Sequence, residues 1–243
     1  MKPVLILQHQ LPENAAYLIT WLKRHGILYQ VVNAGTGELF PTSIELYSAL
    51  AVMGGGMSAN DPLPSNRQAE ILILQAMYRD RPVIGHCLGG QLMARALGGT
   101  VTSSPQPEIG WQAINYEDTP LVNEWFGDQP TDTVVHWHYE SFSIPTGAVR
   151  VATSAACPNQ AFAIGPHLAM QFHIEINEAK IDSWVHEDDP KWADARGRYD
   201  SVQDKISMLN GIPFHLAQHQ ATADRIYNKW LQTTEWAECL TKL

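Results

Sequence analysis

Cys87 is the residue around which chemistry can be built. The stretch Pro82-Val83-Ile84-Gly85-His86-Cys87-Leu88-Gly89-Gly90-Gln91 reads as an apolar strand entering Gly85 and a helix leaving from Leu88, with the cysteine between them. Glycines two residues before and two after give it the spacing of a nucleophile elbow, in which a strained turn exposes its central side chain. Two chemical gains follow. A thiol at a helix N-terminus is biased toward thiolate, and the backbone N–H of Leu88 is left to meet a developing oxyanion. A cysteine that merely packs in a core needs neither.

A thiol nucleophile needs a base, and Gln171-Phe172-His173-Ile174-Glu175 supplies one at the end of an apolar strand. In extended chain His173 and Glu175 point to the same face. Glu175 can then accept from one ring nitrogen and leave the other aimed at the thiol, the orienting logic of a triad. Gly54-Gly55-Gly56 follows a third apolar run, and glycines there let backbone N–H groups come close to a ligand, with Gly55 as the second oxyanion donor. The run lacks the G-x-G-x-x-G spacing of a dinucleotide loop. Gln91 lies one helical turn beyond Cys87 on the same face. His86, beside the nucleophile, points away from it in such a turn and is not assigned as the base.

The elements that must position these groups alternate through the first hundred residues. Strands are expected at Val4–Gln8, Leu28–Val32, Ala49–Met53 and Val83–Ile84, and helices at Glu13–Arg24, Ser65–Tyr78 and Leu88–Leu97. This rhythm predicts an α/β three-layer sandwich with a mostly parallel central sheet and helices on both faces. From Thr100 to Phe172 the pattern becomes strands separated by turns (Thr100–Thr102, Trp111–Asn115, Thr133–Trp137, Val149–Thr153, Ala161–Ile164, Leu168–Phe172), a β-rich insertion returning to the main sheet. After Glu175 the chain turns helical and more polar; Gly211-Ile212-Pro213 is expected to break that tail before a helix at Phe214–Leu231. Residues 1–243 read as one domain, with a core to about residue 180 and a helical extension over 181–243.

Together these motifs resemble the class I, triad-type glutamine amidotransferases. The likeness rests on Gly85-x-Cys87-Leu88-Gly89-x-Gln91 with Leu92-Met93-Ala94, on Val52-Met53-Gly54-Gly55-Gly56-Met57-Ser58, and on Gln171 to Glu175. Within that class the chain is most similar to free-standing proteins like the amidotransferase domain of GMP synthase. The resemblance implies a flavodoxin-like sheet and a triad of Cys87, His173 and Glu175. It also implies an oxyanion site at Gly55 and Leu88, and a substrate pocket touched by Gly54, Gln91 and His138. Glu108-Ile109-Gly110-Trp111 also resembles a segment of these proteins, without a role that can be derived. Gly56, His86, Gly90 and Ile174 depart from the commoner pattern, and Gly56 is expected to loosen its loop.

The resemblance implies that a glutamine-type γ-amide is cleaved through a thioester on Cys87, with ammonia released. The substrate is then glutamine or another γ-glutamyl compound. No stretch reads as an ATP-dependent synthetase, so ammonia is expected to pass to a separate synthetase or to no acceptor. The rivals are a γ-glutamyl peptide hydrolase on the same triad, a non-catalytic binding module, and a redox protein of the wider cysteine-elbow group.

A formal charge of −9 over 243 residues excludes the Lys/Arg stripe that a nucleic-acid backbone requires. No run approaches the roughly 20 apolar residues of a membrane span. Three separated cysteines suggest free thiols in a cytoplasmic protein. His136, His138, His167 and His173 show neither helical metal-ligand spacing nor a cysteine companion, so no metal and no cofactor are expected. Asp188-Asp189 reads as a solvated loop.

Overall fold

A computed structural model of the chain describes residues 1–11 and 15–240. Nine strands form one sheet in the order β2-β1-β3-β4-β9-β8-β7-β5-β6. The first four are β1 (Val4–Gln8), β2 (Tyr29–Asn33), β3 (Ala49–Val52) and β4 (Val83–His86). The others are β5 (Val101–Tyr116), β6 (Thr131–Phe142), β7 (Val149–Thr153), β8 (Ala161–Ile164) and β9 (His167–Met170). Pairing is parallel from β2 through β9 and antiparallel across the rest, so the β-rich insertion extends the same sheet. The parallel half is the flavodoxin-like part, and it holds Cys87.

Why the sheet needs helices on both faces is visible in β1. Val4 and Ile6 point into one core, Leu5 and Leu7 into another, and all four are fully buried. The first core is completed by α1 (Ala16–Arg24), α4 (Pro120–Phe126) and the C-terminal half of α7 (Lys205–Leu231). The second is completed by α2 (Pro64–Tyr78) and α3 (Leu88–Ala96). A third, smaller core gathers Ile109, Trp111 and Val135 under α5 (Glu178–Trp184), α6 (Pro190–Ala195) and the start of α7. The short α8 (Ala237–Leu240) ends the described chain. Among the described residues no helix is long and apolar enough to cross a membrane.

Several sequence expectations are corrected. Thr100–Thr102 and Trp111–Asn115 are two ends of the single 16-residue strand β5, whose pairing with β6 is irregular between Ser103 and Glu108. That irregularity lets one strand contain two prolines, Pro105 and Pro107, which lack the N–H a regular ladder needs. Helix α4 was not anticipated; Thr119 caps it and Pro120 opens it. The first helix is described from Ala16, and Glu13 and Asn14 of its expected start lie outside the described residues.

The break at Gly211-Ile212-Pro213 does not occur. Helix α7 runs through it for 27 residues. Proline there forfeits one helical hydrogen bond, but packing against β5 holds the helix in register: Trp111 Nε1 donates to Met208 O at 3.0 Å. Gly211 is the contact point, since a Cβ there would come within 2.6 Å of Trp111 Nε1. Gly211→Ala should therefore destabilise the fold by about 1–3 kcal/mol through overpacking, against a helix-propensity gain of about 1 kcal/mol. The midpoint of urea unfolding measures this, and a stabilised variant would contradict the Trp111 contact.

Candidate active site

Strand β4 delivers Cys87 to the start of α3 in a conformation that few side chains adopt. Its φ is +49° and ψ −107°, a strain of about 1–3 kcal/mol that the surroundings must sustain. They do so from both sides. Cys87 N donates to Met170 O at 2.9 Å, and Gln91 N donates to Cys87 O at 3.0 Å. A Cβ at Gly85 would meet the Gly89 carbonyl carbon at 2.6 Å, one at Gly89 would strike Val52 O, and one at Gly90 would reach Met170 O at 2.5 Å. Gly90, a departure from the commoner pattern, is thus the residue this packing demands.

Leu88 opens α3, so its N–H belongs to the first turn, which has no intrahelical acceptor. Gly55 lies against it: a Cβ there would sit 2.9 Å from Leu88 Cδ2. The two expected oxyanion donors are therefore neighbours beside Cys87. Gly54 has a different neighbour, because a Cβ would collide with His173 Cε1 at 2.9 Å. Its bareness makes room for the imidazole. Gly56 is tied, its N–H donating to Gln10 Oε1 at 2.9 Å.

The antiparallel half of the sheet curls far enough for β6 to meet the segment leaving β9, where His173 N donates to Val135 O at 2.9 Å. This anchors the base. His173 Nδ1 donates to Glu175 Oε1 at 2.7 Å; a carboxylate can only accept, so Nδ1 carries the proton. Burial would lower the His173 pKa, but Glu175 and the hydrogen-bonded Cys87 side chain together lift it to about 10. Ile174, in place of the commoner proline, is fully buried in the first core.

Glu175 is itself fully buried. Burial would raise its pKa, yet Lys180, His173 and His86 hold it well below the ordinary carboxylate range. Lys180 Nζ lies 2.9 Å from the same oxygen that His173 uses, and over the Trp184 ring at 4.9 Å. His86 Nε2 is 3.9 Å from the other oxygen. Sequence reasoning missed Lys180, and its signal was available: it follows Glu175 by five residues, at the start of a helix capped by Asn177. It also missed Gln171, whose Nε2 lies 3.5 Å from Cys87 Sγ and whose Oε1 accepts from Gln91 Nε2 at 3.3 Å. Gln91 is held further by Glu140 O at 3.2 Å.

Cys87, His173, Gln91 and His138 all line one cavity of about 700 Å³. Its far rim is formed by the turn between α5 and α6. Asp189 there is no simple solvated loop residue: it caps α6, accepts from Tyr139 Oη at 2.6 Å and lies 3.3 Å from Trp137 Nε1. His138 reaches behind the cavity wall, with Nε2 3.1 Å from Glu108 Oε2. The register explains the meeting, since Glu108 stands opposite His138 on the paired strand and His136 is two residues along the same face. The two histidines that the sequence left without a common partner thus share Glu108.

The His173–Glu175 pair carries a pH signature. The folded His173 value of about 10 exceeds its ordinary 6.5, so its contribution to stability is full below pH 6.5 and is lost as pH rises through about 10. The Glu175 contribution is present above pH 4.5 and is lost as pH falls through its lower folded value. Glu175→Gln should bring the His173 ring titration, followed by NMR, well below 10. The stability gap to wild type should narrow on the alkaline side. A ring titration unmoved by the substitution would remove Glu175 as the orienting group.

Comparison with known proteins fits this geometry. Residues 21–188 match the family model described as glutamine amidotransferase class-I. The glutamine amidotransferase-like protein YfeJ of Salmonella typhimurium is 30% identical over 200 residues, covering 78% of this chain and 82% of that protein. A glutamine-hydrolysing GMP synthase of Bacillus pumilus is 38% identical over 105 residues, 42% of this chain but only 20% of the synthase. The crystal structure of a glutamine amidotransferase from Methylobacillus flagellatus superposes with a TM-score of 0.89 at 35% identity, covering 97% of this chain and 96% of that one. The chain belongs to the class I glutamine amidotransferase family.

Proposed function

We propose that the protein hydrolyses a glutamine-type γ-amide, with Cys87 as nucleophile, and that residues 1–243 work as one unit. The observation that carries this reading is the convergence of Cys87, a His173 paired to buried Glu175, and the Leu88–Gly55 backbone at the wall of one cavity. Thiolate sulfur attacks the side-chain carbonyl carbon, and the carbonyl oxygen gains negative charge facing the Leu88 and Gly55 N–H groups. His173 imidazolium gives its proton to the leaving nitrogen, the C–N bond breaks, and ammonia departs from a γ-glutamyl thioester. Neutral His173 then takes a proton from water, hydroxide attacks the thioester, and glutamate leaves with the thiolate restored.

Ammonia released here passes to a separate synthetase, in the manner suggested by the relatedness to glutamine-hydrolysing GMP synthases. The unity of core and extension is supported by shared packing, since Ile226, Tyr227 and Trp230 of α7 lie in the same core as Val4 and Ile6 of β1. One observation favours a second substrate class. About 700 Å³ is in the range that encloses drug-sized ligands rather than a lone amino acid, which leaves room for a γ-glutamyl amine or peptide.

The test is a screen of glutamine, γ-glutamyl amines and γ-glutamyl peptides with wild type and Cys87→Ala, reading ammonia and free amine separately. Turnover that disappears in Cys87→Ala is expected, with a loss of roughly 10³-fold or more for removal of a nucleophile. Cys87 should also be labelled by a glutamine-like diazo-ketone. Cys87-independent turnover, or none on any γ-glutamyl compound with the folded protein, would overturn the proposal.

A further inference from the structure

We propose that Glu108, His136 and His138 form a binding site for a divalent cation of the zinc class, behind the wall of the catalytic cavity. One ligand atom from each of the three lies within 4.8 Å of the other two, and all three residues are buried. They come from a built surface rather than a chance cluster. His136 and His138 share a face of β6, and Glu108 is placed opposite His138 just where the β5–β6 ladder resumes after its irregularity.

The hydrogen bonding around the three residues is what asks for a cation. His138 Nδ1 is 3.1 Å from the backbone carbonyl of Glu140, which can only accept, so Nδ1 carries a proton. Neutral His138 then turns an Nε2 lone pair toward the carboxylate, 3.1 Å from Glu108 Oε2. That Nε2 makes no aligned hydrogen bond despite the short separation. Two lone pairs held face to face repel unless a positive charge lies between them.

His136 strengthens the case. It is fully buried, and neither ring nitrogen has a hydrogen-bond partner. Burial pushes its pKa down to about 3, so near neutral pH it is an uncharged ligand. Glu108 is ionised, because the neighbouring imidazoles and Ser154 outweigh burial and hold its pKa at about 2. Two neutral nitrogens and one carboxylate are a set that suits zinc rather than magnesium or calcium.

The surroundings also match. Metal-bound histidines commonly donate their second ring nitrogen to a carbonyl, and metal-bound carboxylates are themselves hydrogen-bonded. Here Glu140 O holds His138, while Ser154 Oγ donates to Glu108 Oε1 at 2.7 Å and Gln160 Nε2 donates to Oε2. Ligand atoms about 2.0–2.1 Å from zinc in a tetrahedron lie roughly 3.3 Å apart, close to the 3.1 Å seen between His138 and Glu108. His138 also lines the cavity, which gives the ion a path in. An ion here would pin β5 to the β6 segment that forms the cavity wall.

The site is tested in full-length Cys87→Ser protein, so that the thiolate cannot itself hold zinc. After chelator dialysis, the protein is given zinc alone, desalted, and its metal content measured by mass spectrometry. Close to one equivalent should be retained, and His136→Gln and Glu108→Gln should each weaken binding by at least about tenfold. Cobalt(II) added to the same parent protein should give the intense visible absorption of a tetrahedral site, a readout independent of whether the variants fold. Three outcomes would overturn the proposal: no retained zinc in the folded parent, retention indifferent to both substitutions, or NMR showing both His138 nitrogens protonated with zinc present. The last would identify a plain imidazolium–carboxylate pair. None of these readouts depends on turnover, so the site stands or falls apart from the amide hydrolysis.

Discussion

The approach of α3 to the parallel sheet is the constraint on which the rest depends. Gly89 passes so near the Val52 carbonyl that no side chain fits between them. Val52 ends β3 and leads directly into Gly54-Gly55-Gly56. One contact therefore sets the height of Cys87, the direction of the first turn of α3 and the position of the glycine loop. Gly85 and Gly90 press the same turn from below and behind, so the positive φ of Cys87 is over-determined by its neighbours. A helix even slightly farther away would separate Leu88 from Gly55, and the paired donors would no longer face one point.

Much of this was legible because the motifs are local. The elbow spacing, the two-residue interval between His173 and Glu175 and the alternating strands and helices all announce themselves within a few residues. What stayed hidden was long-range. Glu108 and His138 are thirty residues apart in sequence and meet only through the β5–β6 register. Gln171 was quoted as part of a motif, yet its contact with the Cys87 sulfur depends on how β9 lies beside β4. The helix through Pro213 shows the opposite failure. Local propensity argued for a break, and the Trp111–Met208 contact overrode it.

The four departures from the commoner motif have different physical standing. Gly90 is required by the Met170 carbonyl, and Ile174 contributes apolar volume to the first core. Gly56 is tethered through Gln10. His86 has a more interesting place: it lies behind Glu175, and burial holds its pKa down to about 4. It therefore presents a neutral ring to the carboxylate near neutral pH. The charge that balances Glu175 is shared between His173 and Lys180.

Lys180 belongs to α5, beyond the last strand of the sheet. The electrostatics of the candidate triad thus reach into a part of the chain that a sheet-based definition of the domain would discard. A core cut just after Glu175 would keep every motif residue and still strand a carboxylate in the interior with one cation too few. Transplanting the motifs into another scaffold meets the same difficulty. The modular boundary of this protein, judged by charge rather than by strands, lies at least as far along as α5.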